Sequence, residues 1–282
     1  MNYRHAFHAG NFADVFKHAV LARVLTHLAQ KEAAFRVIDT HAGAGRYDLA
    51  GEQAGRTAEW RDGIGRLLAA SPSDEVAELL APYLECIRQI RGNRVPGIYP
   101  GSPLISLSLA RPQDRLVFCE LHPDEREALA AAVGGDRRAK VVEIDGWTAL
   151  KAYLPPPERR GVVLIDPPFE DGDDYRRFEA GLQEAYRRWA TGVFLFWYPI
   201  KDPLSVDTFT RRIARLGIPK ILRVEMTVAA LPSEKLVSCG MLLVNPPWKL
   251  DTELDALLRW LAGTLNQDGT GRYRLGWLTR DR

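Results

Sequence analysis

The sequence predicts an α/β fold: a Rossmann-like, mostly parallel sheet of seven strands with helices on both faces and a helical subdomain inserted near its start. Three observations carry that prediction. A short apolar run, Phe35 to Asp39, enters the glycine-rich turn His41-Ala-Gly-Ala-Gly45. From residue 115 onward, apolar β-type runs alternate regularly with helical patterns. Between these, residues 49 to 98 read as helix only.

In order, residues 11 to 30 place Phe12, Val15, Phe16, Ala19, Val20 and Val24 at helical spacing, with Asn11 as N-cap. The first strand and its glycine turn follow. In the insertion, Val76, Leu79, Leu80, Tyr83, Leu84, Ile87 and Ile90 recur at three- and four-residue steps, opened by Ser71-Pro72 and closed by Gly92-Asn93 and Pro96. The later strands are expected at 115–120, 140–144, 161–165, 192–197, 220–226 and 240–244, and the helices between them at 123–133, 175–189 and 206–216. The last two strands lack an intervening helix, so they are expected as an antiparallel pair at the sheet edge. The domain reading is therefore 1–48 joined to 99–282, with 49–98 as the insertion.

The chain of 282 residues is 46% hydrophobic, 26% charged and carries a formal charge of +2, which suits a core-forming soluble domain and leaves the question of a polyanionic partner open. Met1 to Gly10 is polar, without the apolar core of a secretory signal, and no run is long enough for a bilayer. Cys86, Cys119 and Cys239 are far apart and in no metal-binding spacing. A cytoplasmic monomer without a structural metal is the expectation. Arginines cluster at 176–177, 187–188, 211–215 and 272–282; each cluster reads as a solvated face or as a polyanion contact.

Ligands of an open α/β sheet lie at the carboxyl ends of its strands, and the residues there are informative. Gly43 lets a ligand approach the backbone. The dinucleotide fingerprint fails because Asp48 stands where its third glycine belongs, and a carboxylate repels a pyrophosphate. S-adenosyl-L-methionine has no phosphate, and its ammonium and sulfonium charges suit Asp39. Glu120, at the end of the second predicted strand, suits a ribose diol. Asp145-Gly146, after the third, offers an acceptor for an adenine amine and room for its ring.

The fourth predicted strand runs into Asp166-Pro167-Pro168-Phe169. An exocyclic base amine is a poor nucleophile, and an Asp oxygen with a proline carbonyl can hold its hydrogens so that the lone pair faces a methyl donor. Phe169 offers a face on which an extruded base can stack. A second match, Asn245-Pro246-Pro247-Trp248, follows the last predicted strand. Position favours Asp166; the second copy is expected to end an edge strand and pack its Trp.

Asp166 to Phe169 resembles motif IV of amino-methyltransferases, and Asp39 to Gly45 resembles their motif I. Tyr3 to Asn11, Asp14 to His18, Asp39 to Tyr47, Tyr99 to Pro103, Glu120 to Pro123, Asp145-Gly146 and Asn245 to Lys249 resemble more specifically the bacterial RlmJ family over nearly the whole chain. That resemblance implies a class I methyltransferase fold with an inserted helical subdomain. It also implies transfer of a methyl group from S-adenosyl-L-methionine to adenine N6 in large-subunit (23S) ribosomal RNA. By motif, His18, His41, Ser102, Glu120, Asp145 and Gly146 would contact the cofactor, and Asp166, with Pro167 and Phe169, would form the reaction centre. Tyr3, with Arg4 and His5 beside it, would touch RNA, the partner; a short helix carrying His5, His8, Lys17 and His18 could fold over the cofactor mouth. Phe169 departs from the Tyr common in the family, and Asp-Pro-Pro-Phe also resembles guanine-N2 enzymes of ribosomal RNA. A nucleic-acid-binding protein with an inactive methyltransferase fold is the reading from another class, against which the acids at all four strand ends argue.

Overall fold

A computed structural model describes residues 4–91, 97–169 and 174–280. Its ten strands are β1 (Arg36–Asp39), β2 (Arg46–Asp48), β3 (Ile98–Pro100), β4 (Arg115–Cys119), β5 (Ala139–Val142), β6 (Gly161–Ile165), β7 (Val193–Pro199), β8 (Ile221–Thr227), β9 (Ser238–Val244) and β10 (Arg272–Thr279). The α-helices are α1 (Phe12–Ala29), α2 (Glu52–Thr57), α3 (Ile64–Ala69), α4 (Asp74–Arg91), α5 (Ser102–Leu109), α6 (Pro123–Val133), α7 (Gly146–Ala152), α8 (Asp174–Arg188), α9 (Pro203–Ala214) and α10 (Leu250–Thr264).

Eight strands form the main sheet in the order β10-β8-β9-β7-β6-β1-β4-β5. From β5 to β7 every pairing is parallel, and β9 runs antiparallel to both β7 and β8. The chain moves outward from β1 through β4 to β5, then crosses back to β6 on the other side of β1. That reversal is the switch point at which open α/β sheets bind ligands.

Two cores follow from the two faces. Side chains of α1, α4, α5 and α10 pack on one face, and those of α7, α8 and α9 on the other. Strands β6, β8 and β9 are buried at every residue; β6 accordingly reads as a continuous apolar run, whereas β8 alternates apolar residues with Arg223 and Glu225, which pair with each other at 2.7 Å. Each fully buried Leu, Val or Phe contributes about 1.5–3 kcal/mol over leaving it in water. In the 49–98 segment, Ile64, Leu67, Val76, Leu80 and Tyr83 join the same core as α1 and α10.

Two expectations about the sheet need correction. It has eight strands, not seven, because the arginine-rich tail from Arg272 forms β10, paired antiparallel with β8. Its alternation of Arg272, Arg274 and Gly276 with Tyr273, Leu275 and Trp277 is a half-exposed strand pattern that the run of arginines masked. The β8–β9 pair is antiparallel as expected, but it is internal: β9 lies between β8 and β7, and β10 forms the edge. Asn11 caps α1 as expected, accepting from the Asp14 amide at 3.0 Å.

Candidate active site

A cavity of about 470 Å³ opens at the carboxyl ends of the parallel strands. Its walls come from the turn after β1 (His41 to Gly43), the loop after β4 (Glu120, His122), the segment after β6 (Asp166 to Phe169), the end of β7 (Trp197, Pro199) and the β8–β9 connection (Lys235, Leu236). Helix α1 and the turn before it close the top with His5, Asp14, Lys17 and His18.

Helix α1 explains much of the site's electrostatics. Fifteen of its 18 residues are buried, among them Asp14, Lys17 and His18, so these polar groups must find partners inside the protein. Lys17 Nζ donates to Asp166 Oδ2 at 2.5 Å and lies 3.1 Å from Asp14 Oδ1. Asp14 also accepts from the Gly10 amide at 2.8 Å and meets His5 Nε2 at 2.9 Å. Although burial opposes ionisation, His5 and Lys17 beside it hold the Asp14 carboxyl well below the usual range. Burial pushes His18 down to about 3, so it is a neutral ring, and its Nδ1 meets the Tyr99 hydroxyl at 2.8 Å.

The glycine turn is built around a tyrosine. Gly43 has φ +62°, and a Cβ there would meet the Tyr47 hydroxyl at 2.4 Å, so this position admits no side chain. That hydroxyl accepts from the Ala44 amide at 3.2 Å. The Gly43 amide donates to Glu120 Oε2 at 2.8 Å, and the His122 amide to Glu120 Oε1 at 2.8 Å. Each Glu120 oxygen keeps a lone pair, which leaves the carboxylate able to accept from a diol.

Several residues read from the sequence stand behind the wall. Asp39 is fully buried; it accepts from Ser102 Oγ at 2.6 Å and from the His41 amide at 3.3 Å. Burial, helped by the nearby Asp166 charge and opposed by the Ser102 hydrogen bond, pushes its carboxyl up to about 7. A Cβ on Gly146 would strike the His41 ring at 2.4 Å, so the space beside this glycine holds His41. Burial pushes His41 down to about 4; it is neutral and lines the cavity. Asp145 caps α7, accepting from the Thr148 amide at 2.8 Å, and does not line the cavity.

The structure therefore brings His5, His18, His41, Gly43, Ser102, Glu120, Asp166, Pro167 and Phe169 to one cavity. Arg4 is exposed at the rim, 3.5 Å from Asp124, and Tyr3 lies outside the described residues. Phe169 packs against Tyr175 and Trp197 at ring-centroid distances of 5.4 and 6.1 Å. Sequence reasoning missed the direct pairing of Lys17 with Asp166, the Asp14 anchor beneath it, and Glu59, which meets His8 at 3.0 Å and Asn11 at 3.1 Å. Two opposite charges three residues apart on a helix apolar all round were the available signal.

The second tetrapeptide is elsewhere. Asn245 follows β9, whose antiparallel course puts it at the other end of the sheet, beside the start of β7. Its Nδ2 donates to the Ala190 and Gly192 carbonyls at 2.8 Å each. The expectation that it ends an edge strand and packs its Trp is corrected twice: β9 is internal, and Trp248 is 83% exposed.

S-adenosyl-L-methionine fits the donor set. The cavity has a carboxylate facing a side-chain-free glycine turn and six acidic side chains against three lysines in its lining, an imbalance that favours a cationic ligand. Its two neutral imidazoles, His18 and His41, add no repulsion. Among the described residues no cluster of His, Cys, Asp and Glu could hold a metal, and no helix is long and apolar enough to cross a membrane.

"Ribosomal RNA large subunit methyltransferase J" of Escherichia coli (strain K12) is 40% identical to this chain over 279 residues, covering 99% of both chains. Its namesake in Haemophilus influenzae (strain ATCC 51907 / DSM 11121 / KW20 / Rd) is 39% identical over 281 residues, again covering 99% of each. The crystal structure of protein LPL1258 from Legionella pneumophila (strain Philadelphia 1) superposes with a TM-score of 0.87 at 34% identity, covering 96% of this chain and 98% of that one. The family model described as ribosomal RNA large subunit methyltransferase D, RlmJ, matches residues 32–279. The chain belongs to the RlmJ family of large-subunit ribosomal RNA methyltransferases.

Proposed function

We propose that this protein transfers a methyl group from S-adenosyl-L-methionine to the N6 amine of an adenine in large-subunit (23S) ribosomal RNA. The observation that supports it best is the Lys17–Asp166 pair at the end of β6, in the same cavity as Gly43 and Glu120. When bound, the cofactor supplies an electrophilic methyl carbon on a sulfonium.

Everything else is the work of the chain. Glu120 accepts from the ribose hydroxyls, with the Gly43 amide fixing its orientation, while Ser102, held by Asp39, and the neutral rings of His18 and His41 line the remaining wall. Lys17 occupies Asp166 Oδ2, which leaves Oδ1 to accept from one N–H of the base amine. A carbonyl of the Asp-Pro-Pro segment accepts from the other, because neither proline has an N–H to compete for it. Held by two acceptors, the nitrogen turns its lone pair toward the methyl carbon. As the methyl carbon's bond to sulfur is exchanged for one to nitrogen, the neutral thioether would be the leaving group and the proton shed by the nitrogen would pass to the Asp166 carboxylate. Phe169, backed by Tyr175 and Trp197, offers the stacking face. A base in a duplex cannot reach this depth, so the target is flipped or unpaired.

Residues 49–98 are taken as a helical insertion in a methyltransferase domain formed by 1–48 and 99–282, through which Glu59 reaches the cavity. Tyr3, Arg4 and His5 are taken as RNA contacts, and Asp145 and Gly146 as supports of the cofactor's adenine side through α7 and His41. The protein is read as a cytoplasmic monomer acting on naked RNA or an assembling subunit. A guanine-N2 reading rests on Phe169, which has no hydroxyl to address a base edge. Incubation with labelled S-adenosyl-L-methionine and unmodified ribosomal RNA, followed by nucleoside analysis, decides between them. N6-methyladenosine is expected; N2-methylguanosine or the absence of label overturns the proposal.

A further inference from the structure

The tetrapeptide that plays no part in the cavity, Asn245 to Trp248, sits in an unusual setting. Five non-glycine residues among those described have positive φ, and four of them lie at this end of the sheet: Arg159 (53°), Lys220 (53°), Asn245 (52°) and Lys249 (66°). The left-handed region is costly for side chains other than Asn, Asp or Gly, and such residues gather where a surface is shaped for contact. Topology explains their meeting. Arg159 precedes β6, Lys220 precedes β8 and Asn245 ends β9, and the pairings place all three at one edge. The Asn245 amide donates to the Lys220 carbonyl at 3.0 Å.

This turn presents an aromatic ring. Trp248 is 83% exposed, more than any other large apolar side chain described. Asn245, tied to two backbone carbonyls, and the two prolines fix the turn beneath it. The same end of the sheet carries exposed cations from separate elements: Lys249 next to Trp248 in sequence, Arg159 before β6, Arg215 at the end of α9 and Arg280 after β10. The acids here are engaged otherwise, Glu158 with Arg36 at 2.8 Å and Asp251 with the Trp277 indole at 3.3 Å. Of the arginine clusters in the sequence, 211–215 and the tail each place one member, Arg215 and Arg280, at this end of the sheet, while Arg272 and Arg274 lie at the other, in register with Thr227 and Glu225.

An exposed aromatic ring on a rigid turn among unspent cations is the chemistry of a stacking platform for an unpaired base, with phosphates held at its rim. We propose that the Trp248 edge is a second RNA-docking surface, which binds a part of the substrate RNA remote from the target base. It rests on the reading of the substrate as RNA. Strand β9 spans seven residues, so this platform is about 20–25 Å from the cavity at the strand's ordinary rise. A large folded RNA bridges that distance and a short oligonucleotide does not.

The test compares Trp248→Ala and the double variant Trp248→Ala/Lys249→Ala with wild type on two RNAs. One is a short stem-loop carrying only the target base and the other a long ribosomal RNA fragment around it, with dissociation constants measured across a salt series. Expected are a loss of about tenfold or more on the long RNA for Trp248→Ala, a shallower salt dependence for the double variant, recovery by Trp248→Phe, and unchanged binding and methylation of the stem-loop. Unchanged affinity for the long RNA, or equal losses on both RNAs, overturns the proposal. So does a loss seen only on protein-bearing pre-subunit particles, which would give the face to a protein. Failure of wild type to methylate either RNA would strike the functional reading, while the binding comparison would still be decided.

Discussion

Two tetrapeptides of nearly the same composition end two strands of the same sheet, and they do different things. Asp166-Pro-Pro-Phe follows a parallel strand and so emerges at the ligand-binding edge, where Lys17 meets its carboxylate. Asn245-Pro-Pro-Trp follows an antiparallel strand, emerges at the opposite edge, and turns its amide onto two backbone carbonyls. Phe169 is partly buried among aromatic rings, whereas Trp248 stands in solvent. Strand direction, which no local motif contains, decides which copy can be a reaction centre.

The comparison can be broken by substitution, most severely at its first member. Asp166→Ala should lower methyl transfer about ten- to over a hundredfold, since it removes a charged hydrogen-bond acceptor worth about 1.5–3 kcal/mol. Cofactor affinity, measured by calorimetry, should change little. Lys17→Met should cost both activity and fold, because it leaves the buried Asp14 and the Asp166 carboxylate without their shared cation. Breaking such a pair costs about 3–5 kcal/mol, to be read by denaturant unfolding.

At the other edge, Asn245→Ala should lower stability by about 1–2 kcal/mol through two lost hydrogen bonds and a less tolerated positive φ. Its turnover on a short RNA should stay near wild type. The pH dependence of stability sharpens the contribution of α1. His18 is neutral in the folded protein with its pKa lowered to about 3, whereas the unfolded chain takes up a proton near 6.5. Its contribution is therefore complete above about pH 6.5 and is lost as pH falls toward 3. The stability advantage of wild type over His18→Gln should shrink from pH 7 to pH 4; an advantage that grows on acidification would contradict the neutral assignment.

Much of this was legible in the sequence where local signals were strong. Strand 161–165, a continuous apolar run, and helix 123–133 were read to the residue. Gly43, Glu120, Ser102 and Asp166 do share one cavity. What could not be read was tertiary. Lys17 and Asp166 are 149 residues apart, and nothing local says that a lysine on α1 reaches the end of β6. Asp39 ends β1 as expected, whereas Asp145 lies three residues beyond β5 as the N-cap of α7; whether a carboxylate there faces the ligand or a serine and a helix end depends on neighbours from other elements. Strand β10 was hidden because its exposed positions carry arginines, which look the same in a solvated tail.

The most direct test sets Asp166→Ala and Asn245→Ala side by side in one assay of methyl transfer to unmodified large-subunit ribosomal RNA, with cofactor binding measured on each. A collapse of turnover in Asp166→Ala alone, both proteins retaining the cofactor, is the predicted result. Near wild-type turnover in Asp166→Ala, or an equal collapse in Asn245→Ala, would contradict it.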